Sequence, residues 1–189
     1  DEFLARQAYV RTLETISGDG LDEFFSRQLS VWPDAAKRYE ALADVKVRDL
    51  GNGLLVQYNP SRAVSTAAKV DAASLAVRPC FLCATNRPAE QMAKSVMGTL
   101  ELLVNPYPIF PDHLVIAKNR HVEQSILHRY VDMLDLARKY SSYTFFYNGP
   151  RSGASAPDHH HFQAAPSGLI PLVEDVNGLI AGNDEDTLE

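Results

Sequence analysis

Apolar positions in the first forty or so residues recur at helical spacing. Phe3, Leu4, Ala8, Leu13 and Ile16 mark a first helix, broken by the run Ser17-Gly18-Asp19-Gly20. Leu21, Phe24, Phe25 and Leu29 begin a second helix, which must stop before Pro33, and Ala35 to Leu42 reads as a third. The pattern then switches to short extended runs. Leu54 to Tyr58 predicts a strand closed by Asn59-Pro60, and Glu101 to Val104 a second, ended by the turn-rich Asn105-Pro106-Tyr107-Pro108. His113 to Ala117 makes a third strand, able to pair with the second as a hairpin. Val122, Ile126, Leu127, Tyr130, Met133, Leu134 and Ala137 fall on one face of a single long amphipathic helix. Tyr143 to Tyr147 and His160 to Ala164 complete the strands, with a loop rich in Gly, Ser and Pro between them. Strands joined as hairpins plus one packed helix predict an α+β fold. The chain divides into a helical N-terminal extension over 1–45, a main domain over 46–175, and a polar, poorly ordered tail over 176–189.

Composition narrows the function classes. At 189 residues the chain can bury one substantial core, and its hydrophobic fraction of 46% with 22% charged residues is that of a soluble globular protein. No apolar run is long enough to cross a bilayer, and no signal-peptide pattern opens the chain, so no membrane partner is expected. A net charge of −6 argues against general nucleic-acid binding through a phosphate-tracking surface but leaves room for one small anionic ligand. The two cysteines, Cys80 and Cys83, form a single C-x-x-C. A secreted disulfide scaffold would spread its cysteines along the chain, so a reducing, cytoplasmic location is expected.

The richest chemistry lies between the last two predicted strands, in Gly153-Ala154-Ser155-Ala156-Pro157-Asp158-His159-His160-His161-Phe162-Gln163. Side chains alternate on a strand, so His159, His161 and Gln163 share one face while His160 and Phe162 point to the other. Two imidazoles and an amide facing one way make a polar site. The preceding loop, with Ser152, Gly153 and Ser155, offers backbone N–H groups and hydroxyls suited to phosphate oxygens. A surface strand with chance histidines is the bland alternative.

The pattern His-x-His-x-Gln after Gly-x-Ser resembles the active-site strand of the nucleotidyl-transferring branch of the histidine-triad superfamily. That branch comprises galactose-1-phosphate uridylyltransferase, diadenosine tetraphosphate phosphorylase and the GDP-hexose phosphorylases. The resemblance covers residues from about 78 to 165 and implies a histidine-triad-like antiparallel sheet with one long packed helix. It makes His161 the nucleophile, and it puts Gln163 where the hydrolase branch has its third histidine. Ser155 matches the serine that hydrogen-bonds phosphate, and Asn148, in Tyr147-Asn148-Gly149, an upstream asparagine near the site. Pro157-Asp158 makes the spacing from serine to first histidine one residue longer than is usual in these families.

Two other segments fit. Leu103 to Ile116 is similar to the stretch that wraps the nucleoside in these families, with Asn105 on the ribose or phosphate side and Tyr107 or Ile109 near the base. A proline-rich hairpin whose aromatics fill a core is the competing reading. His113 and His128 carry no claim, His128 being simplest as solvent-facing. In Arg78-Pro79-Cys80-Phe81-Leu82-Cys83 the two thiols supply half of a tetrahedral zinc site, with His121 and His159 as candidate partners. The uridylyltransferase family has that Cys₂His₂ arrangement, and a metal so held would be structural. A thioredoxin-like pair would need a helix to start at the first cysteine, for which Ala84 to Pro88 is poorly suited, and buried unliganded thiols are the other alternative.

A neutral imidazole is a competent nucleophile near pH 7, whereas an amide at 163 can hydrogen-bond a phosphoryl oxygen but cannot shuttle a proton. The expected activity is therefore nucleotidyl transfer or phosphorolysis, on a nucleoside diphosphate sugar or dinucleoside polyphosphate. A histidine-triad hydrolase and a zinc-stabilised nucleotide-binding domain without activity are the alternatives. The resemblance further implies a homodimer, and a C-terminal half beyond the motif that serves the second substrate.

Overall fold

The computed structural model describes residues 20–51, 54–62, 70–152 and 154–176. The first predicted helix, Gly153 and the tail from 177 lie outside the described residues. Gly20, at φ 70°, makes the turn into helix α1 (Leu21–Val31), a backbone conformation that costs little only for glycine. Trp32 breaks the helix and Pro33 opens α2 (Pro33–Glu40) at its first position, where a missing N–H costs nothing. A 3₁₀ turn, Ala41–Asp44, leads into β1 (Lys46–Asp49), which pairs antiparallel with β2 (Leu55–Tyr58) as a separate two-stranded ribbon. Helix α3 (Ala72–Val77) is capped by Asp71, whose carboxylate accepts from the Ser74 N–H.

The main sheet has five antiparallel strands in the order β3 (Lys94–Val96), β4 (Leu100–Val104), β5 (Leu114–Lys118), β7 (His161–Pro166), β6 (Tyr143–Phe146). The β4–β5 hairpin and the α+β class are as the residue pattern predicts. Both faces of the sheet are covered, which explains why β4 and β5 read as nearly unbroken apolar runs instead of alternating ones. One face presents Leu102, Val104, Leu114, Ile116, Phe162 and Ala164 to α1 and to helix α4 (Tyr130–Lys139), through Leu21, Phe25, Leu136 and Tyr140. The N-terminal helix thus shares the core of the sheet. The other face presents Leu103, Val115 and Ala117 to Cys80, Leu82 and Ala156 of the overlying loops.

The long helix expected from Val122 is shorter than the apolar pattern predicts. Residues 121–126 run without helix, and α4 begins only at Tyr130. The reason is competition for the backbone. The Val122 carbonyl accepts from the His160 N–H at 2.8 Å, and the Gln124 side chain is spent on the neighbouring strand, so the segment pairs sideways instead of coiling. His128, at φ 61°, then reverses the chain. Leu127, Tyr130 and Leu134 of the predicted apolar stripe are exposed, while Leu136 and Tyr140 pack inward. Among the described residues no helix is long and apolar enough to cross a membrane.

Candidate functional site

Register builds the site. Ala117 stands opposite His161 and Val115 opposite Gln163, which puts both polar side chains on the loop-covered face of the sheet. Phe162, paired with Ile116, points to the helix-covered face. The adjacent His160 turns the same way as Phe162, with ring centroids 4.7 Å apart, and neither of its nitrogens has a hydrogen-bond partner among the described residues. Burial holds its pKa down to about 4. The alternation expected of the triple histidine is therefore present: His160 belongs to the core, and His161 and Gln163 line a cavity of about 810 Å³.

His161 is 6% exposed, and its Nδ1 lies 2.8 Å from the His159 carbonyl. A carbonyl only accepts, so Nδ1 carries the hydrogen and Nε2 keeps its lone pair. Burial lowers the pKa of the ring, as does the neighbouring His159, against the opposing effect of the backbone hydrogen bond. The strand itself is clamped at this residue by the buried Gln124. Its amide oxygen accepts from the His161 N–H at 2.9 Å, and its nitrogen donates to the carbonyls of His161 (3.1 Å) and Asn148 (2.8 Å).

Gln163 sits in a directed chain of hydrogen bonds. The Ile109 N–H donates to His113 Nδ1 at 3.2 Å, so the proton of this ring is on Nε2, which donates to Gln163 Oε1 at 2.9 Å. Gln163 Nε2 in turn donates to Asn148 Oδ1. Burial holds the His113 pKa at about 3, so the ring stays neutral and its direction of donation is fixed.

Of the other predicted residues, Asn105 and Ser155 line the cavity. Asn105 Oδ1 accepts from the Tyr107 N–H, shaping the proline-rich turn. Asn148 touches the site through Gln163 and Gln124 and is not part of the cavity wall. Ser152 does not line it either; its N–H closes a turn onto the Gly149 carbonyl.

The thiols of Cys80 and Cys83 meet His121 and His159, with all four ligand atoms within 4.8 Å of one another. Metal–sulfur and metal–nitrogen lengths of about 2.3 and 2.0 Å on a tetrahedron put sulfur and nitrogen about 3.5 Å apart. Cys80 Sγ lies 3.3 Å from His159 Nδ1, and Cys83 Sγ lies 3.3 Å from His121 Nδ1 and 3.6 Å from His159 Nδ1. The donor set fits a metal ion. His159 Nε2 donates to the Lys118 carbonyl at 2.8 Å, which leaves Nδ1 as the ligand atom. Burial raises the Cys83 thiol pKa, and the adjacent Cys80 adds to that rise.

The domain family described as "Domain of unknown function (DUF4922)" matches residues 24–166. The chain belongs to this family. No curated protein matches it. It is similar to the crystal structure of yeast Ap4A phosphorylase Apa2 in complex with AMP, with 20% identity and a TM-score of 0.46, over 77% of this chain and 52% of that one. The same enzyme in complex with Ap4A gives 20% identity and a TM-score of 0.42, over 78% and 55%. This DUF4922 chain thus spans about half the length of the yeast enzyme.

In this DUF4922 member several site residues were not legible in the sequence. His113 carried no claim there, yet it orients Gln163; only the pairing of β5 with β7 brings the two together. Gln124 falls inside the helix predicted from Val122, and nothing in the pattern singles it out. The N-terminal helices looked like a lead-in without chemistry, yet Trp32 and Arg38 form part of the cavity wall, along with Arg62 and Arg78.

Proposed function

We propose that this chain carries a nucleotidyl-transfer site of the histidine-triad type, in which His161 Nε2 attacks a nucleotide phosphorus. The observation that carries the reading is the fixed tautomer of a nearly buried imidazole at the cavity wall: Nδ1–H is held by the His159 carbonyl, and Nε2 is left with its lone pair. Attack in line with the leaving group would form a nitrogen–phosphorus bond and break the bridging phosphorus–oxygen bond. The departing sugar phosphate or nucleoside phosphate is already a stable anion and needs no strong acid. An acceptor phosphate then takes the nucleotidyl group and restores His161.

Gln163 supports transfer over hydrolysis. Its oxygen is occupied by His113 and one amide hydrogen by Asn148, so its remaining hydrogen is available to a phosphoryl oxygen. An amide cannot pass a proton to or from water as a third histidine would. We assign Asn105 and Ser155 to substrate binding on the cavity wall, and Asn148 to positioning Gln163. Cys80, Cys83, His121 and His159 would hold a structural zinc-type ion, whose chemistry when bound is that of a crosslink, since a Cys₂His₂ set leaves no position for reactive water. That the chain's two cysteines form one C-x-x-C and no spread disulfide scaffold supports a reducing, cytoplasmic location. A homodimer is proposed on the resemblance alone.

The substrate class is a nucleoside diphosphate sugar or a dinucleoside polyphosphate. Incubation with UDP-glucose, a GDP-hexose and diadenosine tetraphosphate, without acceptor, tests it by intact-protein mass spectrometry. One of them should leave a nucleotidyl adduct that phosphate or a sugar phosphate discharges. His161→Ala should lower adduct formation by about 10³-fold or more. Turnover in water alone without an adduct would make the protein a hydrolase. Tight binding without either, unaffected by His161→Ala, would make it a nucleotide-binding domain.

A further inference from the structure

Between the cavity and the Cys₂His₂ cluster lies a third group of polar side chains, with no part in the reading above. Arg78, two residues before Cys80, lines the cavity beside Ser155. Its Nη2 donates to the Ser155 carbonyl at 2.9 Å and lies 3.7 Å from Asp158 Oδ1. The guanidinium also lies over the Phe81 ring, 5.2 Å from its centroid. Asp158 faces the other way as well: its Oδ2 is 3.7 Å from His121 Nε2, while His121 Nδ1 is turned to the Cys83 thiol. One carboxylate therefore stands between a cavity arginine and a metal-site histidine.

We propose that Arg78 is an anion-binding residue of the cavity, and that Asp158 is a positioning residue coupling it to the Cys80–Cys83–His121–His159 cluster. This rests on the proposed nucleotidyl-transfer site only for the identity of the anion, a phosphate of the bound nucleotide.

Among the described residues three arginines line the cavity, and Arg78 is the one held at the loop before His161. Arg38 is engaged by the Pro106 carbonyl and the Tyr107 ring, and Arg62 by the Tyr107 carbonyl. Arg78 Nε is buried and has no hydrogen-bond partner among the described residues, and Asp158 Oδ1 is in the same condition. At 3.7 Å the two charges attract without a hydrogen bond, so the guanidinium is held in place but its donors are not used up. A phosphate oxygen in the cavity can accept from the guanidinium, and a guanidinium fork suits phosphate better than a point charge does. The Ser155 carbonyl contact keeps this fork at the loop that leads into the histidine strand.

The link to the cluster follows from tautomer chemistry. A metal at His121 Nδ1 leaves the hydrogen on Nε2, aimed at Asp158 Oδ2. Asp158 then orients a ligand ring with one oxygen and Arg78 with the other.

The test measures two quantities on the purified full chain: affinity for inorganic pyrophosphate by calorimetry, and affinity for zinc by competition with a chromogenic chelator. Arg78→Gln should weaken pyrophosphate by about tenfold or more and leave zinc unchanged, with Arg78→Lys intermediate. Asp158→Asn should weaken both, zinc by about 10–100-fold as expected on losing an outer carboxylate partner of a ligand histidine. Pyrophosphate binding that is unchanged in Arg78→Gln and Arg78→Lys would overturn the anion site. Wild-type zinc affinity in Asp158→Asn would overturn the coupling. If pyrophosphate responds as expected while no nucleotide leaves an adduct on His161, the anion site stands and the transfer reaction alone falls.

Discussion

At the scale of single residues, direction is set by which groups can donate. His161 can present Nε2 because a carbonyl takes its other nitrogen, and Gln163 presents an N–H because His113, kept neutral by burial, donates to its oxygen. The same burial makes His113 a term in stability. Its folded pKa is about 3 against about 6.5 in an unfolded chain, so below pH 6.5 the unfolded state takes up a proton that the folded state refuses. Stability from this group is full above pH 6.5 and falls as the pH drops toward 3, by at most about 1.4 kcal/mol per unit. Denaturant unfolding between pH 4 and 7 should show a shallower acid limb in His113→Gln than in the wild type.

At the scale of elements, the site depends on a segment that declined to become a helix. Residues 121–126 carry the apolar spacing of α4, but outside the helix they deliver His121 to the Cys₂His₂ cluster and Gln124 to the histidine strand. Gln124→Leu keeps the volume and strips the His161 N–H and carbonyl of their side-chain partners. A loss of roughly 1–3 kcal/mol per unpaired buried group is expected, with a lower melting temperature and a loosened His161 backbone in amide exchange. An unchanged melting curve and unchanged protection would mean that the clamp is dispensable. The hairpin β4–β5 and the alternation along β7 were readable from the sequence, because a period of two is a local property. The start of α4 was not, because the groups that outcompete its hydrogen bonds lie more than thirty residues away, at His160 and His161.

At the scale of the whole molecule, the two faces of one sheet divide the labour. Helices α1 and α4 seal one face with apolar side chains, and the cysteine and histidine loops cover the other, where Arg78, Phe81 and Leu82 line the cavity beside the Cys₂His₂ cluster. Two of the four cluster residues lie in the Cys80–Cys83 loop, so a bound ion should matter most there. Chelation of zinc-loaded protein should lower the melting temperature and raise amide exchange around Cys80–Cys83 and Asp158–His159, while β4 and the helix-covered core keep their protection. Uniform loss of protection would show that the metal holds the whole fold. Taken alone, the sequence marked out candidates, since the His161–Gln163 pair, Ser155 and the Cys80–Cys83 pair stand out by residue type and short spacing. Only the tertiary structure decided how they are arranged: which nitrogen holds each proton, that His113 orients Gln163, that His121 and His159 join the two thiols, and that Trp32 and Arg38 wall the cavity. Those facts depend on strand register and on contacts between distant segments, which no local pattern encodes.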